Sequence, residues 1–252
     1  MGTARVTLDI EAAFLLAAFA ATWLRRKEPF AVLWLASAVA GFVYVGLRYR
    51  ASWPMTPTYL ATVGFPPVLA AFAWAAWRRA APDAEMPLAR AAIGAGLAAL
   101  VLGSLCPKDF YLPIIKTTSP FAHLLLTFGM LGRASLFVAG CWGIAGLRGA
   151  EGATAAAFRW LVWGFGFWTL SLFAGEVWSY TGWGVPMVWE DASTVTAIAT
   201  WFYYVGLVHL HLTGTWNPTR RLAAAALGIP LILVLNGGPD LGPFRNPLEG
   251  LR

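Results

Sequence analysis

GEVWSYTGWGVPMVWEDASTVTAIATWFYYVGLVHLHL, residues 175–212, joins a tryptophan-rich link to a long apolar run. Its second half is an apolar run long enough to cross a bilayer, which takes about 20 helical residues. Ahead of that run stands a Gly- and Pro-containing link. Trp178, Trp183 and Trp189 lie in or beside this link, and Glu190 and Asp191 follow them. His209 and His211 close the run.

Outward from this stretch the same texture continues. Hydrophobic residues make up 59% of the chain and charged residues 12%, about half the charged fraction of a soluble domain. Mean hydropathy is +0.64. Apolar runs predict eight helices, over 7–24, 30–48, 59–77, 91–106, 120–146, 157–177, 192–213 and 222–236, with Pro66-Pro67 expected to kink the third. The expected fold is an all-α integral membrane protein, one polytopic domain over 1–252, with an outward-facing Trp-rich loop between helices six and seven. Asp9 and Glu11 beside the first run, and the lack of a cleavage site, argue that helix one is retained.

Eight spans put both termini and the Trp-rich link on one side. The links after helices one, three, five and seven hold ten of the 18 Lys and Arg residues: Arg25, Arg26, Lys27, Arg78, Arg79, Arg90, Arg148, Arg159, Arg220 and Arg221. Seven lie on the opposite face, and Arg133 falls inside helix five. The positive-inside rule then places the Trp-rich link and both termini on the periplasmic or outer side of a plasma (inner) membrane. The net charge of +6 is spread over both faces and forms no basic stripe, which excludes a nucleic-acid-binding reading. Cys106 and Cys141 are far apart and match neither a redox C-x-x-C nor a zinc site.

Indoles at a membrane face offer an apolar platform, and histidines at membrane depth are costly unless they bind something. A planar iron-bearing macrocycle, haem, answers both features. His123 opens helix five on the side of the Trp-rich link, as an interfacial histidine or as an axial ligand. His209 lies eighteen residues beyond Asp191, about 27 Å along helix seven. The two cannot share one iron. His211 points elsewhere and is expected to be interfacial. Arg133, about 15 Å into the membrane by the same rise, calls for an internal partner such as Glu11, Asp9 or Glu176, or for a haem propionate in transit. Arg48, Arg50, Lys108 and Lys116 on the outer face are membrane anchors or propionate partners. Asp191 reads as a cap for helix seven.

Gly175, Val177, Trp178, Trp183, Gly184, Trp189, Thr200, Trp201 and His209 together resemble the tryptophan-rich "WWD" segment of the CcsA/ResC/CcmC group of cytochrome c assembly proteins. Met187 stands where that group has a tryptophan, and Asp191 aligns with a one-residue shift, so the chain is similar to a divergent member. The resemblance covers about residues 60–236. It implies a cofactor site for haem b made of Trp178, Trp183, Trp189, Asp191, His123, His209 and Arg133, with His123 and His209 on haem iron at two positions. It also implies export of haem and its attachment to the C-x-x-C-H segment of apocytochrome c, within a haem lyase complex with a CcsB/ResB-like subunit. The group's second outer histidine, after the last helix, has no counterpart in Asn236–Phe244. That leaves open a HemX-like regulator of tetrapyrrole synthesis, or a haem-bearing electron-transfer subunit. No separate nucleophile or base constellation is present.

Overall fold

The computed structural model describes residues 2–23, 27–56, 63–106 and 118–238. Among them it forms eight α-helices and no strand: α1 Gly2–Trp23, α2 Lys27–Ser52, α3 Phe65–Trp77, α4 Pro82–Leu105, α5 Pro120–Leu147, α6 Ala153–Trp183, α7 Ala192–Leu212 and α8 Pro218–Leu231. A π-helical turn, Ile232–Gly237, continues α8. Six helices, α1, α2, α4, α5, α7 and α8 with its π turn, are long and apolar enough to span a bilayer, and α3 is a shorter apolar helix. The chain is a multi-pass membrane protein.

Several element ends differ from the sequence expectation, each for a local reason. Pro66 and Pro67 sit in the first turn of α3, where their missing N–H groups have no helical partner to lose, so they start the helix instead of kinking it. The expected residues 59–62 lie outside the described part. Helix four begins nine residues early, at Pro82, with Asp83 and Glu85 in its first turn where the exposed amides favour carboxylates. Arg90 therefore lies within α4, donating to the Thr22 carbonyl at 3.0 Å and sitting 4.4 Å above the Trp23 ring. Helix six runs six residues past its expected end and carries Trp178 and Trp183 with it. Gly184, in the left-handed region at φ 77°, stops it.

Helix α5 is the centre of packing. Small residues let its backbone approach two neighbours at once. A Cβ on Gly132 would lie 3.0 Å from the Trp168 nitrogen of α6, and one on Gly143 would lie 2.6 Å from the Leu222 oxygen of α8. The antiparallel register of α5 on α6 is fixed by Gly129 facing Ser171, Gly132 facing Trp168 and Gly175 facing Leu125. Ser171 donates to the Leu125 carbonyl at 2.8 Å across the same seam. The first four helices pack beside this group, α1 on α2 and α4, and α3 between α2, α4 and α5.

Candidate functional site

The Trp-rich segment is anchored by short-range bonds. Ser179 donates to the Val185 carbonyl at 2.7 Å, and the Gly184 amide to the Tyr180 carbonyl at 2.9 Å. Asp191 is the N-cap of α7: its Oδ2 accepts from the Thr194 amide at 2.9 Å and from the Thr194 hydroxyl at 3.0 Å. Capping thus accounts for this carboxylate, as its position before an apolar helix implies. Glu190 is exposed beside it.

Trp178 and Trp183 stand edge to face, with centroids 4.9 Å apart and planes at 85°. This corrects the expectation of a flat platform on a loop: two of the three indoles ride on the last turns of α6, perpendicular to each other, and only Trp189 belongs to the link. Trp189 is 61% exposed and Trp183 40%, flanked by exposed Val177, Tyr180 and Val185. Exposed apolar side chains grouped on one segment in this way mark an interaction site or membrane contact.

His123 lies in the first turn of α5, which Ser119 caps through a bond from the Phe121 amide at 3.3 Å. Continuing the α5–α6 register two residues beyond Leu125 and Gly175 sets His123 level with Val177, beside Trp178. Its other neighbours come from the end of α2. The imidazole stacks on Tyr49 at 5.8 Å and 29°, packs on Trp53 at 5.7 Å, and its Nε2 lies 3.1 Å from the Pro54 carbonyl. Tyr49 is also hydrogen-bonded to the Thr127 side chain, one turn beyond His123. A proton on Nε2 is thereby held by a backbone carbonyl, and the lone pair then sits on Nδ1, an arrangement common for metal-binding histidines. Sequence reasoning missed these aromatic neighbours. The signal that could have found them is the Tyr49-x3-Trp53-Pro54 cluster closing a span.

The TW pair of α7 is structural in this fold. Trp201 Nε1 donates to Thr169 Oγ1 at 3.0 Å, and Thr200, fully buried, donates to the Thr196 carbonyl at 2.8 Å while accepting from Asn236 at 2.8 Å. The π turn, just after Pro230 interrupts the helical ladder, brings Asn236 into that position. Trp168 Nε1 reaches the Ala197 carbonyl at 3.2 Å.

Arg133 sits in the α5–α6 seam with its guanidinium 5.3 Å from the centre of the Trp168 ring, a favourable cation–π contact. Glu11, one of its expected partners, is elsewhere, packed toward Gly41 and Pro67. His209 lies in the last turn of α7, exposed, at the far end of the bundle from the Trp-rich link. His211, also at that end, is stacked face to face on Phe158 at 3.6 Å. The sequence-derived residues therefore divide: Trp178, Trp183, Trp189, Asp191 and His123 share one end, Arg133 lies between, and His209 is at the other. Lys108, Lys116 and residues 239–244 of the tail lie outside the described residues.

The side chains at the first end suit a flat apolar macrocycle: exposed indoles, and a half-buried imidazole with one nitrogen already held and, among the described residues, no other claim on its second nitrogen. Among the described residues no group of three or more His, Cys, Asp or Glu could hold a bare metal ion.

Residues 112–236 match the family described as Cytochrome C assembly protein. The cytochrome c biogenesis protein CcsA of Guillardia theta is 30% identical over 78 residues, covering 31% of this chain and 26% of that protein. CcsA of Thermosynechococcus vestitus is 27% identical over 92 residues, 36% and 28% of the two chains. The matched region thus spans little more than a quarter of these relatives. A solved structure, "Cytochrome c Heme Lyase CcmF", superposes with a TM-score of 0.72 over 98% of this chain and 47% of its own, at 16% identity, which is a likeness of fold. The Trp-rich end, the α5–α8 bundle and the family match all fall in one region, and over residues 112–236 the chain is similar to the CcsA-type cytochrome c assembly proteins.

Proposed function

We propose that this protein binds haem b at the end carrying His123 and the Trp-rich segment, on the periplasmic side, and presents it to apocytochrome c for covalent attachment. The observation that carries this reading is the convergence of Trp178, Trp183 and Trp189 with His123 at one end of the α5–α6 pair, inside the segment that matches the assembly family. His123 would face the iron, with Pro54, Tyr49 and Trp53 holding its ring. Trp183 and Trp189 would cover the macrocycle, and Asp191 would position Trp189 through the cap of α7. Haem supplies the vinyl groups to which the cysteine thiols of a C-x-x-C-H segment are joined. The chain's own contribution is then to orient and to exclude water, an effect large enough to account for much of a barrier. His209, at the opposite end, would serve a second haem position where haem enters.

The sequence contains three histidines in all, and the two ends have His123 on one side and His209 with His211 on the other. With His211 stacked on Phe158, each haem position has one candidate histidine, and a CcsB/ResB-like subunit fits the role of supplying a second axial ligand. Co-expression with such a subunit, in a host stripped of other assembly systems, is expected to mature a C-x-x-C-H reporter cytochrome, and this chain alone is not. Maturation by the chain alone would refute the need for a partner. Failure with the native partner present would favour a regulatory role like that of HemX.

A further inference from the structure

The first three helices bury a carboxyl group that the reading above does not use. Glu11 of α1 is 0% exposed, and among the described residues neither carboxyl oxygen has a hydrogen-bond partner. It is seated against Gly41 of α2 and Pro67 of α3. A Cβ placed on Gly41 would lie 2.5 Å from Glu11 Oε1 and 2.6 Å from Pro67 Cβ, so only glycine leaves room for the carboxyl. The seat is too tight for an ion or a small molecule.

Among the described residues no compensating charge sits against it. Pro66 and Pro67 remove the amide donors that the first turn of α3 would otherwise offer. Helix α4 meets α1 through Gly96 against Leu15 and Gly94 against Phe19, and its charged residues, Asp83, Glu85 and Arg90, lie in its first three turns toward the other end. Asp9 is exposed on a different face of α1. On α2 Gly41 faces Glu11, and Ser37, Tyr44 and Arg48 lie in line with it at helical spacing. Ser37 is buried with its hydroxyl unbonded among the described residues, Tyr44 is buried, and Arg48 is half-buried. Tyr44 lies within electrostatic reach of both Glu11 and Arg48. From Gly41 this stripe climbs about 16 Å to the end of α2, where Tyr49, Trp53 and Pro54 surround His123.

An unpaired carboxylate in such surroundings is strongly disfavoured, and the neutral acid replaces it. We propose that Glu11 is an intramembrane proton-binding site, held as the neutral acid and exchanging its proton with the His123 end of the molecule by way of Tyr44, with Arg48 staying charged beside the route. On release the carboxyl O–H bond breaks and its electron pair stays on the carboxylate, the proton passes to Tyr44 Oη as the phenol gives its own proton to water at the Arg48 end, and the reverse transfer restores the acid. The ligand is a proton alone. The carboxyl site lies in α1–α3, outside residues 112–236, and does not depend on haem binding.

Infrared spectroscopy of the full chain in lipid nanodiscs, with isotopically labelled glutamate, tests it. The difference between wild type and Glu11→Gln at neutral pH is expected to show a protonated-carboxyl C=O stretch, lost in the variant and shifted in deuterium oxide. Tyr44→Phe is expected to slow that deuterium shift. A carboxylate stretch in the same difference spectrum would overturn the proposal, and an unchanged exchange rate in Tyr44→Phe would overturn the route. Should Glu11→Gln not fold, Glu11→Asp keeps an acid at the site: loss of the labelled acid band supports the assignment, and its persistence refutes it.

Discussion

At the scale of single residues, Asp191 separates positioning from ligand contact. Its oxygen caps α7 through two bonds to Thr194, and an N-cap of this kind is worth about 1 kcal/mol. Asp191→Ala is expected to destabilise the protein by about that amount and to lower haem content by loosening Trp189. Asp191→Asn keeps the cap and is expected to keep both stability and haem, read from thermal melts and Soret absorbance. Loss of haem in a stable Asn variant would show that the charge itself meets the ligand. This cap was legible in the sequence, because an acidic residue directly before an apolar run has few other uses. The setting of His123 was not: Pro54 is 69 positions away, and no local pattern says that the end of α2 closes over the start of α5. Nor was the perpendicular pairing of Trp178 and Trp183, which depends on both rings riding one helix.

At the scale of elements, the helices were legible as apolar runs and their ends were not. Runs report which residues can sit in lipid, whereas ends depend on caps and on neighbours. Residues 82–90 carry charges that read as a link, yet Pro82 and the acidic first turn make them the start of α4. Residues 178–183 carry Gly, Ser and Thr that read as a link, yet only Gly184, at positive φ, stops α6. The π turn was invisible because the Thr200–Asn236 bond that exploits it is tertiary. Packing of α5 against α8 gives a direct prediction. A Cβ added to Gly143 would meet α8 backbone, lying 2.6 Å from the Leu222 oxygen and 2.8 Å from the Ala226 nitrogen, and backbone cannot step aside as a side chain can. Gly143→Ala is expected to cost about 1–3 kcal/mol. Gly166 of α6 has none of the described residues within 4 Å of its Cβ position, so Gly166→Ala is expected to be neutral or to stabilise by up to about 1 kcal/mol. Melting temperatures of the two variants in one detergent check this, and equal shifts would contradict the close approach of α5 and α8.

At the scale of the whole molecule, the helices arrange the chemistry-bearing residues by end. Composition and run length were enough to predict a helical membrane bundle, and the spacing of the Trp-rich segment was enough to suggest a family. Which side chains meet at that end follows only from the antiparallel register of α5 on α6, set by Gly129, Gly132 and Gly175. The buried carboxyl of Glu11, by contrast, gives no sign of itself in sequence, where it reads as an acidic residue near the first span. The proposed haem platform, the exposed indoles at the His123 end, is checked by haem content and Soret absorbance of the purified protein, wild type against Trp183→Ala combined with Trp189→Ala, both folded by circular dichroism. Wild type is expected to carry b-type haem and the double variant to lose it; full Soret absorbance retained by a folded double variant would overturn the platform.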